Sequence, residues 1–242
     1  MIEICCGSFE DAMAAYEGGA KRIELNSALS LGGLTPTLGS LIMTKQYTDL
    51  EVITMVRSRG AGFCYSDFEY EQMLEDARLL LAYQADGLAF GFLNEDRTIN
   101  EPRTRELVQT VHEEEKKAVF HRAFDCTKDP VASMELLIQL GVDRVLTSGL
   151  GRNVEEGMEQ LKQLQQQFGG QIEVLAGCGL HGDNIRKIKE YTKIKQFHSS
   201  CKGWKQDVTS KGDLVSFGYL EDEMNYEVVS KERVKELVAV DK

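Results

Sequence analysis

The stretch Gly18-Gly19-Ala20-Lys21-Arg22-Ile23-Glu24-Leu25 ends one helical pattern and opens a short β-rich run. The same joint returns at Ala85-Asp86-Gly87-Leu88-Ala89-Phe90-Gly91 and at Leu140-Gly141-Val142-Asp143-Arg144-Val145-Leu146-Thr147. Glycine at such a joint suits the position just past a helix C-terminus, with a strand following within a few residues. Extended outward, the pattern predicts eight strands: Ile2–Cys6, Arg22–Asn26, Glu51–Arg57, Gly87–Leu93, Lys117–Phe124, Arg144–Ser148, Ile172–Cys178 and Lys195–Ser200. Helical patterns lie between them at Phe9–Glu17, Leu38–Gln46, Glu69–Tyr83, Pro102–Glu115, Pro130–Leu140, Val154–Phe168 and Asn184–Tyr191. Strands alternating with helices imply crossovers and a parallel sheet. Eight units in 242 residues predict a single closed (β/α)8 barrel of the TIM type rather than an open doubly wound sheet. The first strand is followed by Cys6-Gly7-Ser8-Phe9-Glu10-Asp11, which is not a GxGxxG loop, so no nucleotide cofactor is expected. Residues 203–228 read as irregular and Ser230–Val240 as a last short helix, all within one domain spanning residues 1–242.

Composition agrees. Apolar residues make up 42% of the chain and charged residues 28%, which excludes a disordered chain, a collagen-like fibre and a disulfide-stapled miniprotein. The net charge of −11 repels phosphate backbones and anionic lipid, so neither nucleic acid nor a membrane surface is an expected partner. The longest uncharged stretch, Leu25 to Thr44, carries Pro36 and several glycines and does not suit a spanning helix. The opening Met1-Ile2-Glu3-Ile4 lacks a signal-peptide pattern, so a cytoplasmic location is expected. There the six cysteines would be thiols or metal ligands before they are disulfides.

In a barrel the chemistry gathers at the C-terminal ends of the strands. All six cysteines (5, 6, 64, 126, 178, 201) fall at that end on this reading. Strand alternation puts Glu3 with Cys5, and Glu24 with Asn26, on common faces. Inward-facing glutamates need cations, and Arg57 and Arg59 are the expected partners; such a network would close the barrel structurally if it binds nothing. In Phe120-His121-Arg122-Ala123-Phe124-Asp125, His121 and Asp125 share a face, which suits a general base with its orienting carboxylate. Glu24 joins them as a candidate catalytic group. Ser148, Gly177, Gly179, His198 and Ser199 cluster at the ends of strands six to eight, where this fold commonly holds anions, and with Arg57 and Arg59 would bind a small anionic metabolite, phosphorylated ones included. There is neither a CxxC pair nor an HExxH string, and no strand-end lysine suggests a Schiff base.

The strings Ile2-Glu3-Ile4-Cys5, Gly32-Gly33-Leu34-Thr35-Pro36, Met55-Val56-Arg57-Ser58-Arg59-Gly60, Tyr65-Ser66-Asp67, Phe120 to Asp125, Val145-Leu146-Thr147-Ser148-Gly149 and Phe197-His198-Ser199-Ser200 together resemble the CutC copper-homeostasis family, in order over about four-fifths of the chain. The resemblance implies a cytoplasmic barrel protein of copper handling, often a homodimer or higher homo-oligomer, with Cu(I) taken by strand-end cysteines. Whether it is also an enzyme stays open. Three strings depart from the family's pattern. Asn26 stands where a second cysteine often follows Glu-Leu, Arg57 to Ala61 reads Arg-Ser-Arg-Gly-Ala, and the turn after strand seven reads Gly177-Cys178-Gly179. Cu(I) favours sulfur. The expected metal ligands are therefore Cys5 with Cys178 or Cys201 supplying a further thiolate across the barrel mouth.

Overall fold

The computed structural model describes residues 1–220 and 222–241. Eight strands close into one parallel barrel: β1 (Ile2–Cys6), β2 (Arg22–Leu25), β3 (Glu51–Met55), β4 (Gly87–Phe90), β5 (Lys117–Phe120), β6 (Arg144–Thr147), β7 (Glu173–Gly177) and β8 (Gln196–Ser199), paired in chain order with β8 returning to β1. Helices α1 (Phe9–Glu17), α2 (Leu38–Tyr47), α3 (Asp67–Ala82), α4 (Glu101–Glu113), α5 (Pro130–Gln139), α6 (Met158–Phe168) and α7 (Gly182–Thr192) fill the crossovers. Their starts follow local chemistry. Ser66 and Glu69 form a reciprocal capping box on α3, while Asn100 and Asp129 cap α4 and α5, each with a proline in the first turn. No helix among the described residues is long and apolar enough to cross a membrane.

Alternation along the strands separates two interiors. Ile4, Cys6, Ile23, Leu25, Val52, Leu88, Phe90, Ala118 and Phe120 belong to the apolar layer under the helices. Inside the barrel a small cluster of Ile53, Met55, Ala89 and Val119 fills the β3–β5 side. The opposite side is ionic: Glu3, Arg22, Glu24, Arg144 and His198 are all buried there. Half of this barrel is therefore filled by charge, which must be internally paired.

Besides α6, which opens at Met158 rather than Val154, and shifts of one or two residues at other element ends, the structure departs from the sequence reading in four places. The third strand stops at Met55 rather than Arg57 and the fourth at Phe90 rather than Leu93. The fifth stops at Phe120 rather than Phe124 because the His121 side chain accepts a hydrogen bond from the Ala123 amide and turns Arg122–Cys126 into a 3-10 helix. The segment expected to be irregular holds an antiparallel pair, β9 (Lys202–Gln206) with β10 (Asn225–Val229), before α8 (Lys231–Asp241). Lys202-Gly203-Trp204-Lys205-Gln206 lacks apolar alternation and stays largely exposed; backbone pairing holds it, and a hydrophobic pattern does not reveal that.

Candidate functional site

Register builds the site. Across β1 and β2, Glu3 faces Arg22 and Cys5 faces Glu24; across β1 and β8, Glu3 faces His198. Glu3 thus lies between two cations, accepting from Arg22 Nε at 2.7 Å and lying 2.8 Å from His198 Nδ1, with Arg144 at 3.7 Å. Burial alone would raise the Glu3 carboxyl, but the His198 hydrogen bond and the charges of Arg22, His198 and Arg144 hold it at about 2. An ionised carboxylate accepts, so His198 Nδ1 carries the proton it donates to Glu3. That leaves Nε2 for another partner. A glycine makes room for this ring: a Cβ at Gly177 would stand 2.7 Å from Leu146 Cδ1 and 3.1 Å from His198 Cβ.

One layer nearer the mouth, Cys5, Glu24 and His198 offer a thiol, a carboxylate and an imidazole whose ligand atoms all lie within 4.8 Å of one another. Cys5 Sγ donates to Glu24 Oε2 at 3.8 Å, and Asn26 Nδ2 donates to both, at 2.9 Å to Glu24 and 3.5 Å to Cys5. Asn26 thus braces the pair from the position where a second cysteine was absent. Burial, reinforced by Glu24, pushes the Cys5 thiol well up. Burial also raises the Glu24 carboxyl, against the pull of His198. His198 itself is raised: burial opposes its charge, but Glu24 and Glu3 on either side outweigh that. The three groups therefore share protons tightly, and a cation arriving among them displaces protons.

Arg57 and Arg59 do not reach the interior glutamates. Both lie beyond the end of β3, where Arg57 donates to the carbonyls of Leu31, Gly33 and Ala61, and Arg59 pairs with Glu69 while stacking on Tyr65. The cations that neutralise Glu3 are strand-opening arginines instead, Arg22 and Arg144. Inward parity with Glu3 and Glu24 was the signal that could have found them. His121 and Asp125 are likewise separated. His121 is buried, with burial and Arg57 lowering it to about 3, so its ring is neutral. Asp125 instead pins the loop after β6, accepting from Arg122 Nε, Thr147 Oγ1, the Ser148 amide and hydroxyl and the Leu150 amide.

A cavity of about 880 Å³ opens over these groups at the C-terminal end of the barrel. It is lined by Cys5, Glu24, Arg57, His121, Cys178, Gly179, His198, Ser199 and Cys201, and on its outer side by Lys202, Glu227, Arg233 and Leu237 from the hairpin and α8. Cys178 sits in the turn after β7 with its thiol donating to the Arg152 carbonyl at 3.2 Å, and Cys201 packs in the apolar layer with its thiol 3.8 Å from Ser199 Oγ. Neither joins the cluster of Cys5, Glu24 and His198. Ser148 bonds Asp125 and the Gly151 carbonyl, and Gly177 lies within β7. Cys6 faces the helices, and Cys64 and Cys126 are exposed.

Residues 1–203 match the model of the CutC family. A CutC family protein of Treponema denticola is 46% identical over 212 residues, covering 88% of this chain and 85% of that protein. A human protein named copper homeostasis protein cutC homolog is 43% identical over 202 residues, covering 84% and 73%. Among solved structures, a CutC protein of Streptococcus agalactiae superposes with a TM-score of 0.78 at 28% identity, over 83% of this chain and 98% of that one. Phosphoribosylanthranilate isomerase of Thermotoga maritima, at 11% identity and a TM-score of 0.56 over 99% and 97%, shares the barrel alone.

Proposed function

The chain belongs to the CutC family, and from that premise we propose that it is a copper-homeostasis protein of the cytoplasm, taking Cu(I) as its cargo at Cys5 and His198 with Glu24 beside them. The observation that carries this reading is the carboxylate–imidazole relay behind the site: Glu3 holds His198 by Nδ1 at 2.8 Å, which leaves Nε2 for a ligand. Metal-binding histidines are typically oriented this way, by a carboxylate or carbonyl on the other ring nitrogen. The donor set fits a soft ion through the Cys5 sulfur and the imidazole, and the Met55 thioether lines the same cavity.

The chain's own residues supply the rest. Glu24, already the acceptor of the Cys5 thiol hydrogen bond, is placed to take the thiol proton when Cys5 ligates. Asn26 keeps thiol and carboxylate aligned, and Arg22 and Arg144 keep Glu3 ionised behind His198.

Anaerobic Cu(I) titration against a competing chelator tests the assignment. Cys5→Ser and His198→Gln are each expected to weaken binding at least about tenfold, the usual cost of disturbing a ligand or its support. Cys178→Ser and Cys201→Ser are expected to stay within about twofold of the parent, since neither thiol joins the cluster. Parental affinity in Cys5→Ser refutes the site.

A further inference from the structure

Among the described residues, Arg57 is a buried cation without a counter-ion. It is 5% exposed, all of its hydrogen bonds go to backbone carbonyls, and its Nε has no partner among the described residues. The Tyr65 phenol lies beside the same guanidinium but outside hydrogen-bonding geometry, and its hydroxyl is also unpartnered. Neighbouring cations are neutralised: Arg59 by Glu69, Arg122 by Asp125 and Lys202 by Glu227. Burying a charge with no opposite charge near it is costly, so a single negative charge is missing at Arg57.

A second group points the same way. His121 is 3% exposed and its Nε2 is unpartnered. Its Nδ1 accepts from the Ala123 amide at 3.1 Å, so in the neutral ring the proton resides on Nε2, which is a donor without an acceptor. Gly91 is what admits this ring, since a Cβ there would stand 2.6 Å from it. Arg57 and His121 both line the cavity and flank one side chain: the Phe63 ring lies 5.1 Å from the Arg57 guanidinium carbon and 5.0 Å from the His121 ring. Phe63 is only half-buried, on a loop that includes the left-handed Ala61.

Two unsatisfied donors and one uncompensated positive charge call for an acceptor carrying one negative charge. We propose that the slot between Arg57 and His121, filled by Phe63 in this structure, binds a small monocarboxylate. One carboxylate oxygen would accept from Arg57 Nε. The second oxygen, or an oxygen on the adjacent carbon, would accept from His121 Nε2, with the ligand taking the space that the Phe63 ring vacates and its apolar body against Met55. A phosphate dianion is disfavoured, because one guanidinium balances one charge and Arg59, Arg122 and Lys202 are each paired with a carboxylate. The site draws on β3, β5 and the loops after them, whereas the copper ligands come from β1, β2 and β8, so it does not rest on the copper reading.

The test is a melting-temperature titration of metal-free protein, with chelator present, using glycolate and acetate as probes and inorganic phosphate as comparison. At about five times its Kd, a carboxylate is expected to raise the melting temperature by about 2–4 °C in a chain of this size, with phosphate giving less. Arg57→Met is expected to abolish the shift, and Arg57→Lys, which keeps the charge and loses the fork, to weaken it at least about tenfold. Phe63→Ala, which opens the slot and leaves both donors in place, is expected to tighten binding, and it reports even if Arg57→Met fails to fold. The proposal is overturned by a flat melting temperature with both carboxylates, by phosphate acting at least as strongly, by an unchanged shift in either Arg57 variant, or by Phe63→Ala binding no better than the parent.

Discussion

Replacing Glu3 by glutamine is the most searching perturbation of this barrel. The carboxylate accepts from Arg22 at 2.7 Å, meets His198 at 2.8 Å and lies 3.7 Å from Arg144, and all four side chains are at most about one-tenth exposed. Glutamine keeps the shape and removes the charge, leaving buried cations facing a neutral amide. Breaking one side of a buried ionic cluster costs about 3–5 kcal/mol. A second route gives a similar figure: a carboxyl held at about 2 in the fold, against about 4.3 in an unfolded chain, is worth on the order of 3 kcal/mol at neutral pH. In a chain of this length that corresponds to a melting temperature lower by about 6–20 °C. The sign with pH is fixed. A depressed carboxyl stabilises the fold above its unfolded value and loses that contribution as pH falls through its folded value, so the gap between parent and Glu3→Gln should close between about pH 4.5 and pH 2. Urea denaturation followed by circular dichroism at pH 7 and at steps down to pH 3 measures both. A loss under about 1 kcal/mol at pH 7, or a gap that does not narrow in acid, refutes the view that Glu3 is the keystone of the ionic interior.

Gly177→Ala should cost about 1–3 kcal/mol, because its Cβ would stand 2.7 Å from Leu146 and 3.1 Å from His198; it should also weaken Cu(I) binding by tilting the imidazole, and equal affinity in a correctly folded variant counts against His198 as a ligand. Cu(I) affinity should rise with pH, since burial pushes the Cys5 thiol up and flanking carboxylates raise His198 and both must lose protons to ligate; titrations at pH 6 and pH 8 that agree contradict this. Asp125→Ala should lower stability by about 3 kcal/mol, since it strands the Arg122, Thr147 and Ser148 donors, while leaving Cu(I) affinity unchanged; a lost affinity with intact stability contradicts this purely structural role.

The barrel was legible because its signal is periodic. Joints such as Leu140-Gly141-Val142 repeat, and each of the three places the start of a strand where it lies, at Arg22, Gly87 and Arg144. Facing was legible too: alternation put Glu3 with Cys5, and register then set Cys5 opposite Glu24. Pairing across strands was not, because a single sequence does not say which rung of β1 meets which rung of β8. His198 therefore reads as part of the anion-binding loops, and Arg57 and Arg59 read as partners of the inward glutamates, whereas Glu3 is neutralised by Arg22 and Arg144. His121 and Asp125 share parity only if the strand continues, and a side-chain hydrogen bond to the Ala123 amide ends it. Such local competition between side chain and backbone leaves no trace in hydrophobic patterning.

The outermost lining of the cavity has a different origin from its floor. Glu227, Arg233, Glu236 and Leu237 follow residue 203, where the family model ends. The proposed ligands Cys5, Glu24 and His198 thus lie inside the stretch the family model covers, and much of the rim above them lies outside it. Exchanging the residues after 203 for those of a relative would therefore redraw the rim of the cavity and leave the Cys5, Glu24 and His198 side chains of its floor in the sequence.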